Sequence, residues 1–122
     1  MHTKKEDLPT PFDMPGIKFG MQTGQGGMAV SYWEMPAGPI ETIFEGLPNN
    51  SCPCSHWGYL MKGKMTVYYD NGESEVIKGG EVYYTAPGHN MQVDEDVAGI
   101  EFSPEKELLL VVDHIKKKMN DF

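Results

Sequence analysis

HWGYLMKGKMTVYYDNGESEVIKGGEVYYTAPGHNMQV, residues 56 to 93, is the stretch whose reading decides the fold. Residues 56–61 and 64–70 are dense in aromatic and β-favouring side chains, which predicts two extended segments. Asn71-Gly72 follows and is a strong short-range hairpin signal, because such a turn needs residues that tolerate positive φ. Residues 73–77 then read as the returning strand. Lys78-Gly79-Gly80 turns the chain again, 81–85 form a strand with Tyr83 and Tyr84 adjacent, and Ala86-Pro87-Gly88 is a further turn before a strand at 90–93.

Outward from this centre the same pattern continues. Residues 16–21, 28–35, 40–44 and 97–102 read as further short strands, with a turn at Met35 to Pro39 and a loop over 45–51 carrying Gly46, Pro48, Asn49 and Asn50. Asp94, Glu95 and Asp96 read as a solvated loop between strands. Short strands at even spacing point to an antiparallel all-β barrel or sandwich. One helix is predicted at the end. Ser103 suits its N-cap, Pro104 its first position, and Glu105 and Glu107 its first turn. Leu108, Val111, Val112, Ile115 and Met119 recur at helical spacing, and Lys116 to Lys118 complement the negative end of the helix dipole. This apolar stripe reads as packing surface against the outside of the barrel rather than part of a site. The expected division is an irregular arm over 1–15, a barrel over 16–102 and a helix over 103–122.

The chain has 122 residues, 39% hydrophobic and 23% charged, enough for one domain with a core of its own. A net charge of −8 argues against nucleic acid and against an anionic membrane surface, both of which need a basic face. No apolar run reaches membrane-spanning length, and the polar start of the chain lacks the apolar segment of a signal peptide, so a cytoplasmic location is expected. There Cys52 and Cys54, one residue apart around Pro53, are expected to be thiols.

The segments HWGYLMKGKMTV, 56–67, and GGEVYYTAPGHNMQV, 79–93, resemble the two motifs of the cupin superfamily. They are similar above all to small single-domain bacterial cupins of the conserved-barrel type with a histidine at each of these two points. The resemblance implies a double-stranded β-helix, or jelly roll, of two facing sheets, many of which hold a metal ion on three histidines and a glutamate. Gly63 matches the closing glycine of the first motif, which puts His56 on the family's glutamate, Cys52 on its second histidine and Asn50 on its first. Gly80, Ala86 and Gly88 match the second motif, whose histidine falls on Met91, with His89 two residues before it. None of the usual ligands stands in its usual place, yet the replacements are metal-competent.

Strand side chains alternate, so Cys52, Cys54 and His56 share a face in an extended segment, and His89 shares one with Met91. The candidate metal ligands are therefore His56, His89, Cys52 and Cys54, and the candidate ligand-binding residues are His56, His89, Asn50 and Met91. Thiolates and imidazoles suit a divalent transition metal such as Zn, Fe, Ni or Mn. Against this, a histidine bonded to a neighbouring strand and a cysteine serving as a small buried hydrophobe are the plainer readings. The aromatics Tyr32, Trp33, Trp57, Tyr59, Tyr68, Tyr69, Tyr83 and Tyr84 should divide between the interior and an outer surface.

Two functional classes remain open on the sequence. One is a metal-dependent cupin acting on a small organic molecule. The other is a non-catalytic barrel, either binding a small molecule or purely structural. A homodimer paired through sheet edges is expected throughout, from the resemblance, and a small-molecule ligand in every reading but the purely structural one.

Overall fold

The computed structural model describes residues 1–120, which form seven strands and one α-helix. The strands are β1 Lys18–Gln25, β2 Met28–Met35, β3 Gly38–Pro39, β4 His56–Tyr69, β5 Ser74–Lys78, β6 Val82–Thr85 and β7 His89–Pro104, and the helix is α1 Glu105–Asn120. Every pairing between strands is antiparallel.

The two long strands β4 and β7 make the architecture. The first part of β4 pairs with β6 and the last part of β7, while its second part pairs with β5 and the first part of β7. β2 joins the last part of β7 and carries β1, and β3 joins the first part. Two facing layers result, hinged where the β4–β7 register slips between Leu60 and Met65. Gly63 sits in this hinge at φ +88, and a Cβ there would collide with the Asp96 carbonyl. Only glycine lets the two strands cross so closely.

This hinge corrects two expectations. Segments 56–61 and 64–70 are one strand, as are 90–93 and 97–102, because a bulge bends a strand round a corner without ending its ladder. Asp94 and Asp96 therefore lie within β7 and not in a solvated loop. The Asp94 carboxylate accepts from the Thr66 hydroxyl at 2.7 Å, and that of Asp96 from the Ala37 amide at 2.9 Å. The expected strand at 40–44 is instead a 3-10 helix, Glu41–Phe44. Ile40 and Phe44 both face the core, a helical spacing rather than an alternating one. At the Asn71-Gly72 turn only Gly72 takes positive φ, and Asn71 caps the turn by accepting from the Glu73 amide.

Ser103 is not a helix cap. It stays in β7, paired with Ala29 of β2, and α1 begins at Glu105, whose amide donates to the Gly27 carbonyl at 2.9 Å. Leu108, Val111, Val112 and Ile115 of α1 are buried as the stripe requires, each contributing roughly 1.5–3 kcal/mol by leaving water. They close the barrel from one end and line its cavity, so the stripe is part of the site's wall and not merely an outer packing face. His114 Nε2 donates to the Glu45 carbonyl at 2.7 Å, which ties α1 to the loop before β4. Residues 121 and 122, expected in the helix, lie outside the described residues. No described helix is long and apolar enough to cross a membrane.

The arm packs along β1. Leu8 is buried against Gly20, Phe12 stacks on Phe19 with centroids 5.3 Å apart, and the Met21 amide donates to the Pro9 carbonyl.

Candidate metal centre

Three polar side chains meet inside the barrel. Cys52 ends the loop that crosses from the Pro48–Asn50 3-10 turn, His56 opens β4 and His89 opens β7. Cys52 and His89 are held face to face by an isolated bridge in which the Cys52 amide donates to the His89 carbonyl at 2.8 Å. Ser51, next to Cys52, anchors the same loop through its hydroxyl on the Asp70 carboxylate. Ligand atoms of Cys52, His56 and His89 all lie within 4.8 Å of one another, and all three residues are buried.

Both imidazoles are oriented from behind. His89 Nδ1 lies 2.7 Å from the Ala86 carbonyl, which only accepts, so Nδ1 carries the proton and Nε2 presents a lone pair. His56 Nδ1 lies 2.7 Å from Ser103 Oγ and 3.6 Å from a Glu101 carboxylate oxygen. That carboxylate favours the proton on Nδ1, leaving His56 Nε2 to face Cys52 Sγ at 3.5 Å. Glu101 is itself held by the Tyr83 hydroxyl, which donates to its other oxygen at 2.5 Å. Tyr83 reaches it because its ring lies over Gly58, where any side chain would collide. The two histidine rings stand nearly edge to face, centroids 5.2 Å apart and planes at 72°.

Electrostatics favour the neutral forms of Cys52 and His89. Burial pushes the Cys52 thiol up to about 12. Burial first, and the neighbouring His56 second, hold His89 below the usual histidine range. Burial and then the Glu101 carboxylate raise Tyr83 far above an ordinary phenol, so it remains a donor.

The cluster borders a cavity of about 90 Å³. Phe19, Trp33, Ile40, Phe44, Met65 and Val112 are among its apolar walls, and its polar members are the cluster itself, Glu101 and Thr85.

Of the residues expected at the site, Cys52, His56 and His89 are brought together and Met91 lines the cavity. Cys54 is fully buried but outside the group, its Sγ 3.3 Å from the Ser55 carbonyl, with burial raising its thiol to about 12. Both cysteines are free thiols. Asn50 is exposed at φ 55, its side chain accepting from the Gly46 amide and its carbonyl from Asn90, so it does not reach the cavity. Glu101, Ser103, Tyr83 and Thr85 were not anticipated. Alternation along β7 carries a signal for two of them, since it puts Glu101 and Ser103 on the face of buried Val97, leaving Phe102 outside.

The two-layer arrangement has counterparts among solved structures. A RmlC-like cupin from Shewanella frigidimarina NCIMB 400 superposes with a TM-score of 0.58 over 84% of this chain and 88% of its own, at 16% identity. The chain has the cupin fold. Ectoine synthase from P. lautus matches this cupin barrel with a TM-score of 0.61 over 86% of the chain and 78% of its own, at 14% identity. Oxalate decarboxylase from Lactobacillus farciminis, in a formate complex, matches with a TM-score of 0.61 at 14% identity, covering 84% of this chain and 32% of that one. No protein-family model and no curated protein matches the sequence. At these identities the likeness is one of fold, and barrels of one fold serve many chemistries.

Proposed function

We propose that this cupin barrel binds one divalent transition metal on Cys52, His56 and His89 and a small organic molecule in the adjoining cavity. The observation that carries the reading is the convergence of three buried ligand atoms within 4.8 Å, with each imidazole held from behind by an acceptor. That second layer of support is what metal-binding histidines ordinarily have. One thiol and two imidazoles suit Zn, Fe or Ni better than the oxygen-seeking Mn. A bound metal with three protein ligands and an open position supplies Lewis acidity toward a carbonyl or a water. The protein's part is to neutralise charge through the Cys52 thiolate, orient His56 through Glu101 and Ser103, and exclude bulk water with the walls from α1 and the arm.

The test is elemental analysis of untagged protein beside a His56→Ala, His89→Ala double variant, with circular dichroism to confirm that the variant folds. Near-stoichiometric metal in the parent and none in the folded variant is the expected outcome. Metal at equal content in both proteins, or in neither, would sink the metal reading and leave the non-catalytic binding barrel, which the apolar cavity walls favour.

A homodimer is proposed on a different basis from edge pairing. Trp57, Tyr59, Val82, Tyr84 and Phe102 are all exposed on the outer face of β4, β6 and β7. They are contiguous, since Trp57 pairs with Tyr84 and Phe102 and Tyr59 with Val82 across neighbouring strands. Contiguous apolar surface of this kind supports association through the face of the sheet.

A further inference from the structure

The cavity holds a polar group that the metal cluster does not use. Thr85 closes β6, directly across from His56 in the β4–β6 ladder, and lines the same cavity. The residue is 3% exposed, and its Oγ1 is buried with no hydrogen-bond partner. Leaving a buried hydroxyl unpaired forfeits its hydration with nothing in exchange, and Val in its place would fill nearly the same volume without that loss. A hydroxyl kept there, beside His56 and open to the cavity, is accounted for by a bound partner that completes its hydrogen bonding.

The rest of the cavity restricts what the partner is. Its walls are aromatic and aliphatic, so the body of the molecule is apolar. Its volume of about 90 Å³ is of the same order as the roughly 150 Å³ cavity that accommodates benzene, so the molecule is limited to about half a dozen heavy atoms. Charge sets the remaining condition. A doubly positive metal is already balanced by the Cys52 thiolate and by the Glu101 carboxylate, which sits behind His56 and also lines the cavity. An anion entering this space would face Glu101 and lose its hydration with no net positive charge to meet it.

We infer that the cavity takes a small neutral carbonyl compound, with its apolar body among Phe19, Trp33, Ile40 and Phe44 and its oxygen accepting a hydrogen bond from Thr85 beside the metal. The inference rests on the metal site proposed above and adds to it the class of ligand and the residue that selects it.

The experiment uses the full chain loaded with zinc and titrated with cyclopentanone as the neutral probe and cyclobutanecarboxylate as the anionic one. Zinc uptake is first recorded separately by calorimetry for the parent, Thr85→Val and Thr85→Ser. Probe binding is then followed through the Trp33 indole N–H resonance, assigned against Trp57→Phe. The expected result is saturable binding of cyclopentanone, about ten-fold weaker in Thr85→Val, restored in Thr85→Ser, with unchanged zinc uptake and little response to the carboxylate. Normal zinc uptake with equal cyclopentanone affinity in the parent and Thr85→Val overturns the role of Thr85. Tighter binding of the carboxylate overturns the neutral class, and zinc uptake without any binding of cyclopentanone overturns the inference while the metal site stands. Failure of the parent to take up zinc overturns both readings. Should Thr85→Val fold poorly, the Thr85→Ser and parent comparison is repeated against Thr85→Ala, whose loss of affinity must again exceed that of Thr85→Ser.

Discussion

The Nδ1 of His56 lies 2.7 Å from the hydroxyl of Ser103, a residue 47 positions further along the chain. This contact joins the first residue of β4 to the end of β7, and Glu101, two residues before Ser103 on the same strand face, adds its carboxylate at 3.6 Å. Removing that support should loosen the metal without removing a ligand. Glu101→Gln and Ser103→Ala are each expected to weaken zinc binding by about 10- to 100-fold, the usual range for such outer partners. Competition with a chelator of known affinity measures it, and parental zinc affinity in both variants would show that His56 needs no orientation.

The pH dependence of metal binding follows from the thiol. Cys52 stands at about 12 without metal, so at pH 7 to 9 it is protonated and must release one proton to become a ligand. His89, held below the ordinary histidine range, is already neutral there and contributes no second proton. Zinc affinity should therefore rise about ten-fold per pH unit across pH 7 to 9 through this one thiol. A flat profile in calorimetry corrected for buffer ionisation would remove Cys52 from the ligand set.

Gly58 tests the chain of contacts from Tyr83 through Glu101 to His56. A Cβ at this position would collide with the Tyr83 ring, which must move, and the ring carries the hydroxyl that holds Glu101. Gly58→Ala is expected to cost about 1–3 kcal/mol in urea denaturation, as overpacking in a tight interior does, and to weaken zinc binding as Glu101→Gln does. Full zinc affinity in a destabilised Gly58→Ala protein would separate Tyr83 from the site.

The exposed aromatic row predicts the oligomeric state. Light scattering coupled to size exclusion should give the mass of two chains for the parent and of one for Trp57→Asp, because a charge placed at the centre of an apolar contact must be desolvated. A parent that runs as a monomer would rule out association through this face.

Much of the fold was legible because its signals are local. The punctuation of 56–93 by Asn71-Gly72, Gly79-Gly80 and Pro87-Gly88 marks strand ends and turns wherever the chain goes. The helix stripe of Leu108, Val111, Val112 and Ile115 was legible for the same reason. The segment at 40–44 misled, because a short apolar run does not by itself distinguish a strand from a single turn of helix. Ser103 misled because a serine before proline reads as a cap on local grounds, while its pairing with Ala29 is decided seventy-four residues away.

For the candidate site, sequence alone determined the residue types and, through strand alternation, that Cys52 and His56 share a face in an extended segment, with His89 following the Pro87-Gly88 turn. Only the tertiary structure decided that Cys52, His56 and His89 converge while Cys54 and Asn50 do not, and that Glu101, Ser103 and Thr85 stand beside them. The physical reason is that alternation sets which way a side chain points along its own strand. Which side chains meet is set by register between strands, and here that register depends on a bulge at Gly63 and on the bridge between Cys52 and His89.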